Sequence, residues 1–216
     1  GGGGMITRKL GLYAGGFEAR QHDSWQAFSD YNKSSFSVRM DYSPTDKTKF
    51  IISFSGNEYY SDMAGSVDST AFYSRAYSST TDFTYRQVHS QRTRLTAEHY
   101  WNDKNETTVT LFYRDNFIKQ NPNYSIRWQP GSNTAAGEIN RNGFYSKGAV
   151  LQHITRFSFL HTRLLFGGSI DNSPASYWSY RTELEARLRP DGRSVEKYFL
   201  ISEQPDDLIA NYHADL

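Results

Sequence analysis

The chain has 216 residues, 24 Lys plus Arg against 23 Asp plus Glu for a formal net charge of +1, and no cysteine. The charge balance leaves no electrostatic footprint for nucleic acid. The missing thiols exclude disulfide scaffolds, cysteine–zinc sites and thiol nucleophiles. Aromatic residues make up 16% of the chain although only 37% is hydrophobic. Disordered chains are poor in aromatics, so the composition points to a folded chain whose elements are apolar on one face only.

Taken in order, Gly1-Gly2-Gly3-Gly4-Met5 is set aside as a tag or fragment scar, with no apolar leader region visible behind it. A first strand is predicted over 6–20. Next, Phe36, Val38, Met40 and Tyr42 alternate with Ser35, Ser37, Arg39 and Asp41, the period of a half-buried strand over 34–43. Ser43-Pro44-Thr45-Asp46-Lys47 then reads as a tight turn. Phe50, Ile52 and Phe54 continue the pattern in a strand at 48–59. In the strand at 83–101, Leu95, Ala97, His99 and Trp101 oppose Arg94, Thr96, Glu98 and Tyr100. Asn102–Asn105 is a second tight turn, and Val109, Leu111 and Tyr113 mark a strand at 106–118. Two further strands are predicted at 143–156 and 161–172, the latter from Leu164, Phe166 and Ile170. Another begins near Asn211-Tyr212-His213-Ala214. The connections at 43–47, 102–105 and 156–161 are short. Those at 60–82, 119–142 and 173–211 are long, and that at 21–33 is intermediate.

Tight turns at one end and long loops at the other are the mark of an outer-membrane barrel, whose strands face lipid on one side and a polar lumen on the other. The expected fold class is therefore all-β. It is an antiparallel up-and-down meander of about seven long strands, a partial segment of a transmembrane β-barrel with long extracellular loops. Trp101 and Tyr42, beside the short turns, stand where an aromatic girdle belongs. No apolar run approaches the roughly 20 residues of a spanning helix. The same alternation also fits a soluble β-sandwich, such as a carbohydrate-binding module.

Several strings add a resemblance. Phe36 to Thr48 looks like a strand–periplasmic turn–strand unit, and Ser61-Asp62-Met63-Ala64-Gly65-Ser66-Val67 like the opening of an extracellular loop, with Ala64 where a Pro is expected. Phe112-Tyr113-Arg114-Asp115-Asn116 followed by Gln120-Asn121-Pro122, and Asn211 to Leu216, are further such strings. Over 6–216 the chain resembles the barrel portion of TonB-dependent outer-membrane receptors, especially siderophore-receptor-like members from Bacteroidetes-type bacteria. The resemblance implies a bacterial outer-membrane location, with outer-membrane lipid as a partner. It also implies active import of a ferric siderophore, and coupling to TonB through a plug segment that is not recognisable here. A barrel of this kind has about 22 strands, so the chain is expected to be roughly the middle third of a wall. No cofactor is implied beyond iron carried inside the ligand.

Strand parity opposite Leu95, Ala97 and Trp101 puts Arg39, Asp41, Arg86, Arg92, Arg94 and Glu98 on the polar face. Asn57, Tyr59, Arg86, Arg114, Asn116 and Asp171 then lie toward the long-loop end. Guanidinium groups suit anionic ligands through bidentate hydrogen bonds, and Tyr and Trp offer flat surfaces with a polar tip. The candidate ligand-binding residues are thus Asn57, Tyr59, Arg86, Arg114, Asn116, Tyr124, Trp128 and Asp171, the loop aromatics Tyr124 and Trp128 included. The competing reading is cross-strand pairing within a watery lumen. Asp62, Asp68 and Asp82 lack calcium-loop spacing, and the His residues lack metal-site spacing. No nucleophile–base constellation is identifiable, so an enzyme is not expected. The function classes in play are a TonB-dependent importer, a passive porin-type channel and the soluble sandwich.

Overall fold

The alternation builds a single curved sheet. The computed structural model describes residues 1–215. Its elements in chain order are β1 (Gly2–Thr7), β2 (Leu10–Gln21), β3 (Tyr31–Thr45), β4 (Thr48–Asp62), α1 (Ser69–Tyr73), β5 (Tyr85–Asn102), β6 (Asn105–Asn121), β7 (Arg127–Trp128), β8 (Thr134–Arg156), β9 (Arg163–Asn172), β10 (Ala175–Leu188) and β11 (Val195–Ala214). Strands β1 to β6, then β8, β10 and β11, lie side by side in that order in an 11-stranded antiparallel sheet, and β7 and β9 also pair with β8.

The register turns the sequence alternation into two faces. One cross-strand row reads Met40, Ile52, Leu95, Leu111, Ala149, Ile170. A row on the opposite face reads Arg39, Ser53, Arg94, Phe112, Gly148, Asp171. The apolar face stays uncovered. Phe36 is 52% exposed, Leu95 37% and Leu111 48%. A second stacked sheet would bury them, so the sandwich alternative is excluded by the architecture.

Gly148 shows how closely the strands approach. A Cβ there would sit 2.5 Å from Phe112 Cζ and 2.4 Å from the Ile170 carbonyl oxygen. At the short-turn end, Asn102 Oδ1 accepts from the backbone N–H groups of Lys104 at 2.9 Å and Asn105 at 3.0 Å. This is the side-chain closure that makes Asn a turn residue.

Three expectations are corrected. The predicted strand at 6–20 is a β1–β2 hairpin, and the glycines set aside from the fold supply the edge strand β1. The connection at 119–142 is shorter, because β8 starts at Thr134. The stretch 173–211 is not a loop. β9 and β10 lie against β8 in one unbroken register, Lys147↔Asn172 and then Phe144↔Ala175. Pro174 lacks an N–H and interrupts the ladder, but its carbonyl still accepts from Tyr145 N at 3.3 Å. The chain then turns at 189–194 and returns as β11, pairing from Leu188↔Val195 to Ala175↔Ala214.

The buried core sits at this long-loop end rather than in the wall. Ile139 and Leu184 are fully buried, and Ala135, Tyr180 and Ala186 are buried beside them. Loop 63–84 packs there. Tyr198 N donates to Thr80 O at 2.9 Å, and Lys197 pairs with Asp82 at 2.8 Å. Gly65 has φ +78, and a Cβ there would meet Asn123 Nδ2 at 2.6 Å. Both the left-handed backbone and the close approach demand glycine. The intermediate loop joins the cluster through Ala27 N to Tyr77 O at 2.9 Å and an edge-on Trp25–Tyr77 contact at 4.9 Å.

Candidate functional site

The polar face carries side chains in successive cross-strand rows, and six of the eight candidate residues fall on them near the long-loop end. Asn57 and Asn116 share one row, Ser35–Asn57–Ser90–Asn116–Phe144. Ser35 Oγ donates to Asn57 Oδ1 at 2.8 Å and Ser90 Oγ to Asn116 Oδ1 at 2.6 Å. Among the described residues, the buried Asn116 Nδ2 has no partner. Tyr59 stands in the next row, Lys33–Tyr59–Val88–Ile118–Asn142–Tyr177–Tyr212. Lys33, Asn57, Tyr59, Val88 and Ser90 line a shallow hollow of about 520 Å³.

Arg114 and Asp171 form the most connected group. Arg114 donates from Nη2 to Asp171 Oδ2 at 2.9 Å, and from Nε and Nη2 to Ser146 Oγ at 3.0 and 2.7 Å. Ser146 Oγ in turn donates to Asp171 Oδ1 at 3.2 Å, and Ser173 Oγ donates to the same oxygen at 2.7 Å. The Arg114 guanidinium also lies 5.0 Å from the Phe112 ring, which fits because Gly148 beside it has no side chain. The cross-strand pairing weighed as the alternative is therefore present at Arg114.

Arg86 and Tyr124 are joined through Gln120. Arg86 Nε donates to Gln120 Oε1 at 3.0 Å, and Gln120 Nε2 donates to Tyr124 OH at 2.8 Å. Tyr124 sits on a short 3-10 turn, Asn123–Ser125, and is 67% exposed. Trp128 stands apart from these groups. It lies in β7, beyond the end of β6, and its Nε1 donates to Ser132 O at 2.7 Å, closing its own loop.

Sequence parity missed three contributors. Ser146, fully buried, completes the Arg114–Asp171 group. Gln120 links Arg86 to Tyr124. Tyr177 stacks on Tyr212 at 5.0 Å and donates its OH to Glu138 Oε1 at 3.1 Å. Ser146 shares the parity of Gly148, but its place opposite Arg114 depends on a register that the linear chain does not display. Tyr177 was hidden by reading 173–211 as loop.

At the long-loop end, electrostatics favour neutral tyrosines. Burial, with help from Glu203 and Tyr60, pushes the Tyr85 phenol up to about 12. Burial and the bond from its OH to Glu203 Oε2 at 2.6 Å raise Tyr180 as well. Burial raises Asp62 above the usual carboxylate value.

No protein-family model matches the chain, and no curated protein does. Solved structures do. The unliganded ferric citrate transporter FecA matches with a TM-score of 0.63 at 12% identity, over 91% of this chain and 29% of that one. BauA, the ferric preacinetobactin receptor from Acinetobacter baumannii, matches with a TM-score of 0.57 at 12% identity, over 94% of this chain and 31% of that one. The chain has the fold of a TonB-dependent receptor's barrel wall. FpvAI, solved in complex with pyocin S2, gives the same picture with a TM-score of 0.63 at 11% identity, over 91% of this chain and 29% of that one. The chain thus spans about 30% of the length of the receptors it matches. These neighbours are transporters and receptors rather than enzymes.

Proposed function

We propose that the chain is a barrel-wall and extracellular-loop segment of a bacterial outer-membrane, TonB-dependent importer for ferric siderophores. One observation carries this reading. A continuous antiparallel wall bears an uncovered apolar face and a polar opposite face, and its fold is that of receptors for ferric citrate and ferric preacinetobactin. Along β5, Trp101 to Gln91 covers ~33 Å at ~3.3 Å per residue. A strand tilt of ~40° reduces this to ~25 Å of height, the apolar band of an outer-membrane barrel. The apolar face meets hydrocarbon there and the polar face lines the lumen.

In this reading the short turns face the periplasm and the cluster around β10 and β11 stands outside the cell. An anionic ferric complex enters between the loops and meets, in order, the Arg86–Gln120–Tyr124 group, the Tyr59 and Tyr177 rings, the amides of Asn57 and Asn116, and Arg114 with Asp171. Trp128 contributes by shaping the loop rim. Arg86 is not ion-paired to a described carboxylate and is free to meet anionic oxygens; Arg114 shares its charge with Asp171. Passage then depends on a plug moved through TonB.

The test uses the intact parent receptor. Equilibrium binding of a panel of ferric siderophores is measured with Arg86→Ala and Arg114→Ala. Loss of a charge-assisted hydrogen bond of ~1.5–3 kcal/mol lowers affinity by roughly 10- to 150-fold for the cognate complex. Unchanged affinity across the panel removes these residues from the site. Uptake that persists without a proton-motive force supports a passive channel instead.

A further inference from the structure

The upper part of the polar face holds an apolar strip that a watery wall does not require. Along β5 the side chains on this face run Arg86, Val88, Ser90, Arg92. Val88 stands between Tyr59 on β4 and Ile118 on β6, so an aromatic ring and two aliphatic side chains share one row. Ile118 is exposed and Val88 half-buried. Val88 and Ser90 are short side chains, and with Tyr59 they line the hollow of about 520 Å³.

Three cations surround this floor. Arg86 and Arg92 stand at its two ends on β5, ~20 Å apart at ~3.3 Å per residue. Lys33 stands at its side, opposite Tyr59, with Nζ 5.7 Å from the Phe17 ring centroid. Elsewhere on this face the cations are paired: Arg39 and Lys49 with Asp41, Arg114 with Asp171 and Arg156 with Glu106. Among the described residues, Lys33, Arg86 and Arg92 take part in no ion pair. Arg92 even stands directly opposite Arg114, and like charges so placed repel. Glu58 borders the hollow but has the parity of the outer face, where it is bound to His89. The Asn57 side-chain oxygen accepts from Ser35 Oγ at 2.8 Å, which leaves Nδ2 to donate elsewhere.

We propose that this floor seats a ferric tris-catecholate, with Lys33 and Arg92 as ligand-binding residues beside Arg86. The inference rests on the importer reading given above and names the class of its ligand. Charge and shape select that class. Iron(III) held by three doubly ionised catechol groups carries a net charge of minus three, and its flat rings face outward. Three unpaired cations and an apolar strip match both properties. A ferric tris-hydroxamate is uncharged and gains little from the cations. Ferric citrate is anionic but has no ring to lie on Tyr59, Val88 and Ile118. In the seat, a catechol ring rests on that strip. The ligand oxygens take charge-assisted hydrogen bonds from Lys33, Arg86 and Arg92.

The experiment uses the purified intact receptor and three radiolabelled probes: the iron(III) complex of a synthetic tris-catechol, that of a tris-hydroxamate, and ferric citrate. Equilibrium binding is measured for each. The wild type is expected to prefer the tris-catecholate to both others by roughly a hundredfold, as three added charge-assisted contacts allow. Lys33→Gln and Arg92→Gln are each expected to lower that affinity roughly tenfold, and to leave binding of the tris-hydroxamate unchanged. Lys104→Gln, in a turn at the opposite end, is expected to change nothing. Heat-dependent gel mobility checks that each variant is a folded barrel, and the wild-type comparison stands without any variant. Preference of the wild type for the tris-hydroxamate or for ferric citrate overturns the catecholate seat and leaves the importer reading intact. A tris-catecholate affinity unchanged in both folded variants also overturns the seat. Binding of none of the three complexes overturns the importer reading, and the seat with it.

Discussion

At the scale of single residues, two positions carry tension that can be measured. Gly148 is fixed by the Phe112 ring and the Ile170 carbonyl, both nearer than a Cβ tolerates. Gly148→Ala is expected to destabilise the intact barrel by about 1–3 kcal/mol through overpacking. Adding Phe112→Leu should restore part of the loss, because the ring then yields. The temperature at which the folded barrel loses its distinct gel mobility reads both effects, and no change with Gly148→Ala would contradict the packing described here. Tyr85 and Tyr180 provide the second case. Their folded values both lie above the ordinary tyrosine value of ~10, with Tyr85 pushed up to about 12 and Tyr180 raised by burial and its bond to Glu203. Stability from a raised group is complete below the unfolded value and is lost as pH climbs through the folded one. The long-loop cluster should therefore hold up to pH ~10 and loosen as pH climbs toward about 12. Phenolate absorbance recorded alongside protease sensitivity of 175–214 checks this; all tyrosines ionising together near 10, with no change in cleavage, would contradict it.

At the scale of elements, the β10–β11 hairpin is the part with a true core. Leu184 and Ile139 have no exposed surface, so Leu184→Ala is expected to destabilise this unit by ~2–5 kcal/mol. Amide exchange should rise in 175–188 while β3 to β6 keep their protection; uniform loss would show that hairpin and wall unfold as one. β9 has the opposite character. All of Arg163–Asn172 is exposed and β8 is its one neighbour among the described residues. An uncovered strand edge invites pairing, so the isolated chain should associate as its concentration rises in sedimentation, and the intact barrel should not. A monodisperse isolated chain would contradict this. The same two elements show what the sequence hides. β3 to β6 were legible because apolar and polar residues alternate between turn signals. In 175–188 the alternation is equally regular, with Trp178, Tyr180, Thr182, Leu184 and Ala186 against Ser179, Arg181, Glu183, Glu185 and Arg187. It was obscured by Pro174 at one end, by Pro190-Asp191-Gly192 at the other, and by the charge of its polar face. β1 was hidden for a simpler reason: glycine has no side chain to reveal a face.

At the scale of the whole molecule, parity is what links sequence, wall and function. It placed Asn57, Tyr59, Arg86, Arg114, Asn116 and Asp171 on one face before any partner was known. It did not reveal that Arg114 is shared with Ser146 and Asp171, because cross-strand register is invisible in a linear chain. The central claim is that alternate residues of the wall meet hydrocarbon and water, and single cysteines test it directly, because these 216 residues contain none and any cysteine elsewhere in the receptor is first replaced by Ser. Single cysteines are placed along β5 of the intact receptor in lipid bilayers, at Arg92, Arg94, Leu95, Ala97 and Glu98, and labelled with a membrane-impermeant maleimide. Arg92→Cys, Arg94→Cys and Glu98→Cys should react, and Leu95→Cys and Ala97→Cys should not. Equal labelling at all five positions, or labelling with the opposite parity, would contradict the account.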